Sequence, residues 1–251
     1  MKAVILAAGM ASRLRPLTSD TPKCLLKVGE RTLLQRSMDA LVEVGIRQFV
    51  IVTGYLHEQI ETFVRETYGE SIRVRFIHNK DYETTNNIYS LWLARPEAEG
   101  QEILLLDSDL LYDGQILERI LADKHENVLT LIRHELGEEE MKVVTDKDGA
   151  ITEISKTCDP ALAAGESLGI ERMGKAYTTA LYRELDVMMN TEHLENTFYE
   201  LAFLRLIAQE QSMTNVGLRF SVLDVTDLFS CELDTVEDFE NAKQRIPAHL
   251  Y

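Results

Sequence analysis

The stretch Met1-Lys2-Ala3-Val4-Ile5-Leu6-Ala7-Ala8-Gly9-Met10-Ala11-Ser12-Arg13-Leu14-Arg15-Pro16-Leu17-Thr18, continued by Thr21-Pro22-Lys23, decides how the rest of the chain reads. A short apolar strand runs straight into a loop of small residues, Ala7, Ala8, Gly9, Ala11 and Ser12, whose backbone N–H groups can approach an anion closely. Gly9 can take a positive φ there at no steric cost. Arg13 and Lys23 set full positive charges beside those partial ones, so the loop reads as an anion grip. It is not a Walker A loop, which ends in Gly-Lys-Ser/Thr, nor a Gly-x-Gly-x-x-Gly turn.

Outward from this loop the pattern alternates. Thr32 to Val44 carries Leu33, Leu34, Met38, Leu41 and Val42 at helical spacing and stops at Gly45. Gln48 to Gly54 reads as a buried strand, Leu56 to Tyr68 as a helix, and Ile72 to His78 as a strand. Asn87 to Ala94 opens a further helix, with Asn86 or Asn87 as its cap. Glu102-Ile103-Leu104-Leu105-Leu106-Asp107 is a continuous apolar strand of the kind buried on both faces. Such repetition predicts a doubly wound α/β fold on a mostly parallel sheet, with ligands at the carboxyl ends of the strands. That rule gathers Ala7 to Arg13, Gly54-Tyr55 and Asp107 to Asp109 on one rim.

From Glu138 the style changes. Met141 to Thr145 and Ala150 to Lys156 read as a hairpin turning at Asp148-Gly149. Ser167 to Ile170 reads as a strand, and helices are expected over Met173 to Met189, Asn196 to Gln211 and Val236 to Arg245. Residues 135–220 are expected to form a small hairpin and helical subregion on the same sheet, within one domain spanning residues 1–251.

The formal net charge of −16 at pH 7 argues against nucleic acid and membrane surfaces as partners, because both recruit cationic faces. Cys24, Cys158 and Cys231 are odd in number and widely spaced, which suits a reducing cytoplasm and buried thiols. No run is long and apolar enough for a membrane helix. The six histidines are scattered and read as surface or core residues.

Asp107-Ser108-Asp109 closes a strand, and Cys231-Glu232-Leu233-Asp234-Thr235 precedes the last helix. Carboxylates so placed suit a hard divalent cation. Asp234 or Thr235 would equally serve as the helix cap.

The opening loop, with Pro16 and Pro22-Lys23 in place, resembles the signature of the nucleotidyltransferases that join a nucleoside triphosphate to a sugar phosphate or phosphocholine. The resemblance extends along nearly the whole chain and implies their Rossmann-like fold. It implies catalytic roles for Arg13, Lys23, Asp109 and Asp234, with Mg²⁺ held by Asp109 and Asp234 and assisted by Glu232. The nucleotide would lie on Leu6, Ala7, Ala8, Gly9, Met10, Ala11, Ser12, Arg13, Gly54 and Asp107. Asn86, Asn87 and Ser90 resemble the helix start of phosphocholine cytidylyltransferases, where amides can read a pyrimidine edge. Trp92, one helical turn from Ile88, reads as core.

On the acceptor side, which is the role implied for residues 135–220, Lys156, Gly169, Tyr199 and Glu200 match family positions. The implied partners are CTP, or another nucleoside triphosphate, and a small phosphorylated or phosphonate acceptor. The branch points to a cytidylyltransferase, but Gly137-Glu138-Glu139-Glu140-Met141-Lys142 lacks the Trp or Tyr that a quaternary ammonium needs. Phosphocholine, 2-aminoethylphosphonate and inositol phosphate thus all stay open. The acidic run is either a solvated turn or an attractor for an ammonium group. Two alternatives remain: a hexose-1-phosphate nucleotidyltransferase, and a non-catalytic regulatory protein, which would be expected to lack one of the four catalytic residues. The oligomeric state, a homodimer included, is left open.

Overall fold

The computed structural model describes residues 1–213 and 216–250; residues 214 and 215, inside the 135–220 region, and residue 251 lie outside the described residues. The chain begins with β1 (Lys2–Ala7), a small hairpin of β2 (Lys27–Val28) and β3 (Arg31–Thr32), and α1 (Leu33–Glu43). It continues through β4 (Gln48–Thr53), α2 (His57–Tyr68), β5 (Arg73–His78), α3 (Asn87–Leu93) and the single turn α4 (Arg95–Ala98). Then follow β6 (Ile103–Asp107), β7 (Leu110–Tyr112), α5 (Gln115–Ala122), β8 (Val128–Ile132), β9 (Lys142–Thr145), β10 (Ile151–Ser155) and β11 (Gly165–Met173). The C-terminal part holds α6 (Lys175–Asn190), α7 (Glu200–Met213), β12 (Ser221–Asp224), β13 (Ser230–Glu232) and α8 (Val236–Arg245).

The expected doubly wound sheet is present. Strands β6, β1, β4 and β5 are parallel neighbours. Their side chains alternate as a two-sided sheet requires. Ala3, Ile5, Phe49, Ile51, Leu104 and Leu106 pack toward α1, α2 and α5. Val4, Leu6, Val50, Val52, Ile103 and Leu105 pack toward α3, α4, α6 and α7.

Beyond β6 the sheet becomes largely antiparallel. β11 pairs with β6, β8 and β9, and β10 closes that edge on β9. Within β11 the three residues Leu168, Gly169 and Ile170 face the single residue Thr130 of β8, a bulge that places Gly169 at φ +77°. The Thr130 hydroxyl donates to the Ile170 carbonyl at 2.9 Å and fills the gap.

Several boundaries differ from expectation. Met173 ends β11 instead of starting a helix, and α6 begins at Lys175. The helix expected over Asn196 to Gln211 is α7, Glu200–Met213, so residues 196–199 form its approach. The hairpin lies where expected, with Gly149 at φ +77°. Strands β7, β12 and β13 are short, with little local signal, and owe their existence to pairing and burial, whereas the apolar run of β8 and the amphipathic α5 were legible but not expected.

Candidate active site

The opening loop is held by its own buried threonine and by α2. Thr18 is fully buried, and its hydroxyl donates to the Ala11 carbonyl at 2.9 Å. Tyr55 Oη and Gln59 Nε2 donate to the Ser19 and Asp20 carbonyls at 2.6 and 3.0 Å. The left-handed residue is Ala11, at φ 47°, and Gly9 is not among the positive-φ residues. Gly9 serves space instead: a Cβ there would meet nothing within 4 Å and would project into the cleft that Gly9 lines. Gly54 does not line that cleft. It lets the end of β4 close on the loop, since a Cβ would sit 2.6 Å from the Ala8 carbonyl oxygen.

The cleft has a volume of about 1250 Å³ and runs along the carboxyl ends of the parallel strands. Of the expected residues, Leu6, Ala7, Ala8, Gly9, Ala11, Arg13, Lys23, Asn86, Asn87, Ser90, Asp107, Asp109, Lys156, Gly169, Glu200, Glu232 and Asp234 all line it. Met10, Ser12, Gly54 and Tyr199 do not.

Two residues far apart in sequence meet here because β13 pairs antiparallel with β7, putting Glu232 opposite Leu110. The ladder continues as the Leu233 N–H donates to the Asp109 carbonyl at 3.2 Å. Leu233 is fully buried beneath α8, so alternation sends its neighbours Glu232 and Asp234 the other way, into the cleft. Thr235 takes the capping duty: its hydroxyl accepts the Asp238 N–H, and the Asp238 carboxylate accepts the Thr235 N–H. Asp234 is thereby free for the site.

Lys23 Nζ bridges the acids, donating to Asp109 Oδ2 at 2.8 Å and Asp234 Oδ1 at 2.7 Å. Arg13 holds the other oxygen of Asp234 at 2.6 Å. Burial opposes the charge on Lys23, yet the two aspartates hold its pKa well above the ordinary amine value. Burial likewise opposes the charge on Asp234, but Lys23 and Arg13 bring its pKa below the usual carboxylate value. Glu232 is the reverse case: the residue is exposed, but desolvation by the crowding of its carboxyl in the cleft and then Asp109 and Asp234 push it up to about 8.

Asp109, Glu232 and Asp234 each bring an oxygen within 4.8 Å of the others, and Asp109 Oδ1 is buried without a hydrogen-bond partner. An all-carboxylate set with an orphaned oxygen fits a hard divalent cation. Asp107 stands beside them, half-buried at the end of β6, with its pKa raised by desolvation and by Asp109, and accepting the Tyr199 hydroxyl at 3.0 Å. Gly169 is explained by this contact. A Cβ there would lie 2.7 Å from Asp107 Oδ2.

On the other wall Asn86 Oδ1 accepts the Asn87 N–H at 2.8 Å as the cap of α3, and Asn87 Oδ1 accepts the Tyr199 N–H at 3.0 Å. Both also line the cleft. Trp92 is partly buried and packs against the core, as expected, with its Nε1 donating to Asp186 at 3.0 Å.

The structure adds residues the sequence reading missed. Asn79 is buried and lines the cleft, its amide donating to Thr85 and Ser90 at 3.1 Å each. His134 also lines it and meets Glu166 Oε2 at 2.6 Å: it is exposed, as expected of a surface histidine, but faces the cleft. Its place after β8 was the available signal, had that strand been recognised. Of the acidic run, Glu139 and Glu140 face the cleft, and Glu139 pairs with Lys156 at 3.4 Å. All three cysteines are free thiols. No helix among the described residues is long and apolar enough to cross a membrane.

These parts define a doubly wound α/β protein whose small-residue loop and two cations face a carboxylate cluster across one cleft. The profile described as "Nucleotidyl transferase" matches residues 2–155, and the chain belongs to that family. It is 33% identical to CMP-5'-(3-aminopropyl)phosphonate synthase of Streptomyces rubellomurinus over 98% of this chain and 38% of that protein. To choline-phosphate cytidylyltransferase of Streptococcus pneumoniae it is 41% identical over 44% of this chain and 46% of that protein. The matches therefore span less than half the length of these two curated relatives. The fold is similar to the solved CTP:phosphocholine cytidylyltransferase from Streptococcus pneumoniae, with a TM-score of 0.78, 23% identity, and coverage of 98% of this chain and 99% of that one.

Proposed function

We propose that the chain is a Mg²⁺-dependent cytidylyltransferase that transfers CMP from CTP to a small phosphorylated or phosphonate alcohol or amine. A phosph(on)ate oxygen of the acceptor attacks the α-phosphorus. The bond to the bridging α,β-oxygen breaks, and pyrophosphate leaves with that oxygen. The observation that carries this reading is the convergence of Arg13, Lys23, Asp109 and Asp234 on the edge of one cleft.

No protein nucleophile is needed, because the attacking oxygen is already ionised near neutral pH. The difficulty is holding two polyanions in line. Lys23 and Arg13 are fixed cations that would offset charge on the α-phosphate and the acceptor. The N–H groups of the opening loop, left open by Gly9, would take the triphosphate. Asp109, Asp234 and Glu232 would hold Mg²⁺, which when bound neutralises the triphosphate and polarises the α-phosphate. Lys156, on the acceptor wall, suits the acceptor's phosph(on)ate.

CTP is supported by the relatives' own cytidine chemistry and by the amides of Asn79, Asn86 and Asn87 along the base side of the cleft. The test is a pyrophosphate-release screen crossing CTP, UTP, dTTP, GTP and ATP with phosphocholine, 2-aminoethylphosphonate, inositol phosphate and hexose 1-phosphates. Release with CTP and a small acceptor is expected. Release only with a hexose 1-phosphate and another nucleotide would replace this reading with the NDP-sugar one.

A further inference from the structure

Two acids on the acceptor side, Glu200 in the cleft lining and Glu171 buried behind it, make no ion pair with a cation of the described residues. Along β11 the alternation puts Leu168 and Ile170 toward α1, α2 and α5, and therefore Glu171 and Met173 toward α6 and α7. A glutamate at such a core position is unexpected. Glu171 is 0% exposed. Its Oε1 meets only the Ser167 hydroxyl, at a long 3.5 Å, and its Oε2 has no hydrogen-bond partner.

Glu200, the first residue of α7, is 7% exposed and lines the cleft, and its Oε2 is also without a partner. The buried Tyr177 hydroxyl is unpartnered as well. Burial, and after it the charges of Asp107 and Glu200, oppose the ionisation of Glu171. Lys156, whose charge Glu200 feels, is directed instead to Glu139 and over the ring of Phe198, 4.8 Å from its centroid.

Carboxylate oxygens withdrawn from water and left unmatched are costly unless a partner arrives. A primary ammonium brings three N–H donors and a full charge. A quaternary ammonium brings no donor and relies on aromatic faces. Phe198 already carries Lys156 on its ring, and residues 137–142 hold no aromatic side chain.

We propose that Glu171, together with Glu200, receives the N–H groups of the acceptor's ammonium, so that the acceptor is an aminoalkyl phosphate or phosphonate bearing a primary amine. The inference rests on the cytidylyl-transfer reading above and narrows it. Glu171 is thereby a specificity-determining residue, and because it is fully buried behind the lining residues Ser167 and Glu200, these side chains must shift for the ammonium to reach it.

The test compares kcat/KM for phosphoethanolamine, 2-aminoethylphosphonate, phosphocholine and inositol phosphate, with CTP in excess, in the wild-type protein and in Glu171→Gln. Phosphoethanolamine and phosphocholine differ only in three methyl groups, and their ratio cancels the fraction of enzyme that is folded. The wild type should favour the primary amines. In Glu171→Gln the phosphoethanolamine-to-phosphocholine ratio should fall by about 10- to 100-fold, the worth of a hydrogen bond to a charged group, with KM for CTP unchanged.

A wild-type preference for phosphocholine or inositol phosphate, or an unchanged ratio in the variant, overturns this inference and leaves cytidylyl transfer standing. Absence of CTP turnover with every acceptor overturns both.

Discussion

On the nucleotide side of the cleft Asp109 and Asp234 are held by cations of the chain, although Asp109 Oδ1 stays without a hydrogen-bond partner beside Glu232. Lys23 sits between Asp109 and Asp234, and Arg13 takes the remaining oxygen of Asp234. On the acceptor side Glu171 and Glu200 each keep a buried oxygen without a partner. The difference shows where each half obtains its charge balance. The first half is preorganised, so its donors need no rearrangement when a triphosphate arrives. The second half is complete only with a ligand that supplies positive charge, which makes it the place where specificity is decided.

The sharpest way to break this contrast is to empty the first half. Lys23→Ala and Asp109→Ala should each lower kcat by about 10²- to 10³-fold, the usual loss for one such electrostatic contact. The protein should remain folded by circular dichroism. Full activity in either variant would remove the preorganised half.

The seam between the halves is Gly169, at φ +77° and packed on Asp107. Gly169→Ala combines backbone strain with a clash and should destabilise the fold by roughly 1–3 kcal/mol. Denaturant titration reads this, and an unchanged midpoint would show that the bulge yields.

Thr235→Ala removes the cap that leaves Asp234 free and should cost about 1 kcal/mol. A small fall in kcat should accompany it, because α8 then competes for Asp234 as its cap.

The smallest effect concerns His134, which joins the acceptor wall to Glu166. Burial opposes its charge, yet the hydrogen bond and charge of Glu166 raise its pKa above the ordinary 6.5. Burial also raises the pKa of Glu166. In both cases the folded state holds its proton more tightly than the unfolded one. The stabilisation from His134 is fully present below its unfolded value and is lost as pH rises through the raised one. Because His134 is substantially exposed, the effect should be a few tenths of a kcal/mol. Melting curves from about pH 6 to about pH 8 should slope downward in the wild type and less steeply in His134→Asn.

The nucleotide half was also the more legible half. Its strands, Lys2–Ala7, Gln48–Thr53 and Ile103–Asp107, are continuous apolar runs buried on both faces, so composition alone marks them. The loop cations were legible because a phosphate grip demands particular residue types close together in sequence. The acceptor half was read poorly for the opposite reason. Its strands β8 and β11 are antiparallel and bulged, with Glu171 and Arg172 inside β11, and their registers depend on partners far along the chain. Asn79 follows a strand that the sequence does mark, Ile72 to His78, but a single Asn gives no local sign of burial, and His134 follows β8, whose place at the cleft depends on its pairing with β11.

The joint role of Asp109 and Asp234 came from the family resemblance, and from residue order alone came the alternation of strands and helices and the anion-gripping loop with its two cations. These follow from local periodicity and from chemistry that a short segment can encode. Only the tertiary structure decided that Thr235 caps α8 while Asp234 turns to Lys23, that a positive φ belongs to Ala11 and not Gly9, and that Glu171 faces the core without a cation. Each of those depends on which distant atoms arrive at contact distance, and residue order does not list them.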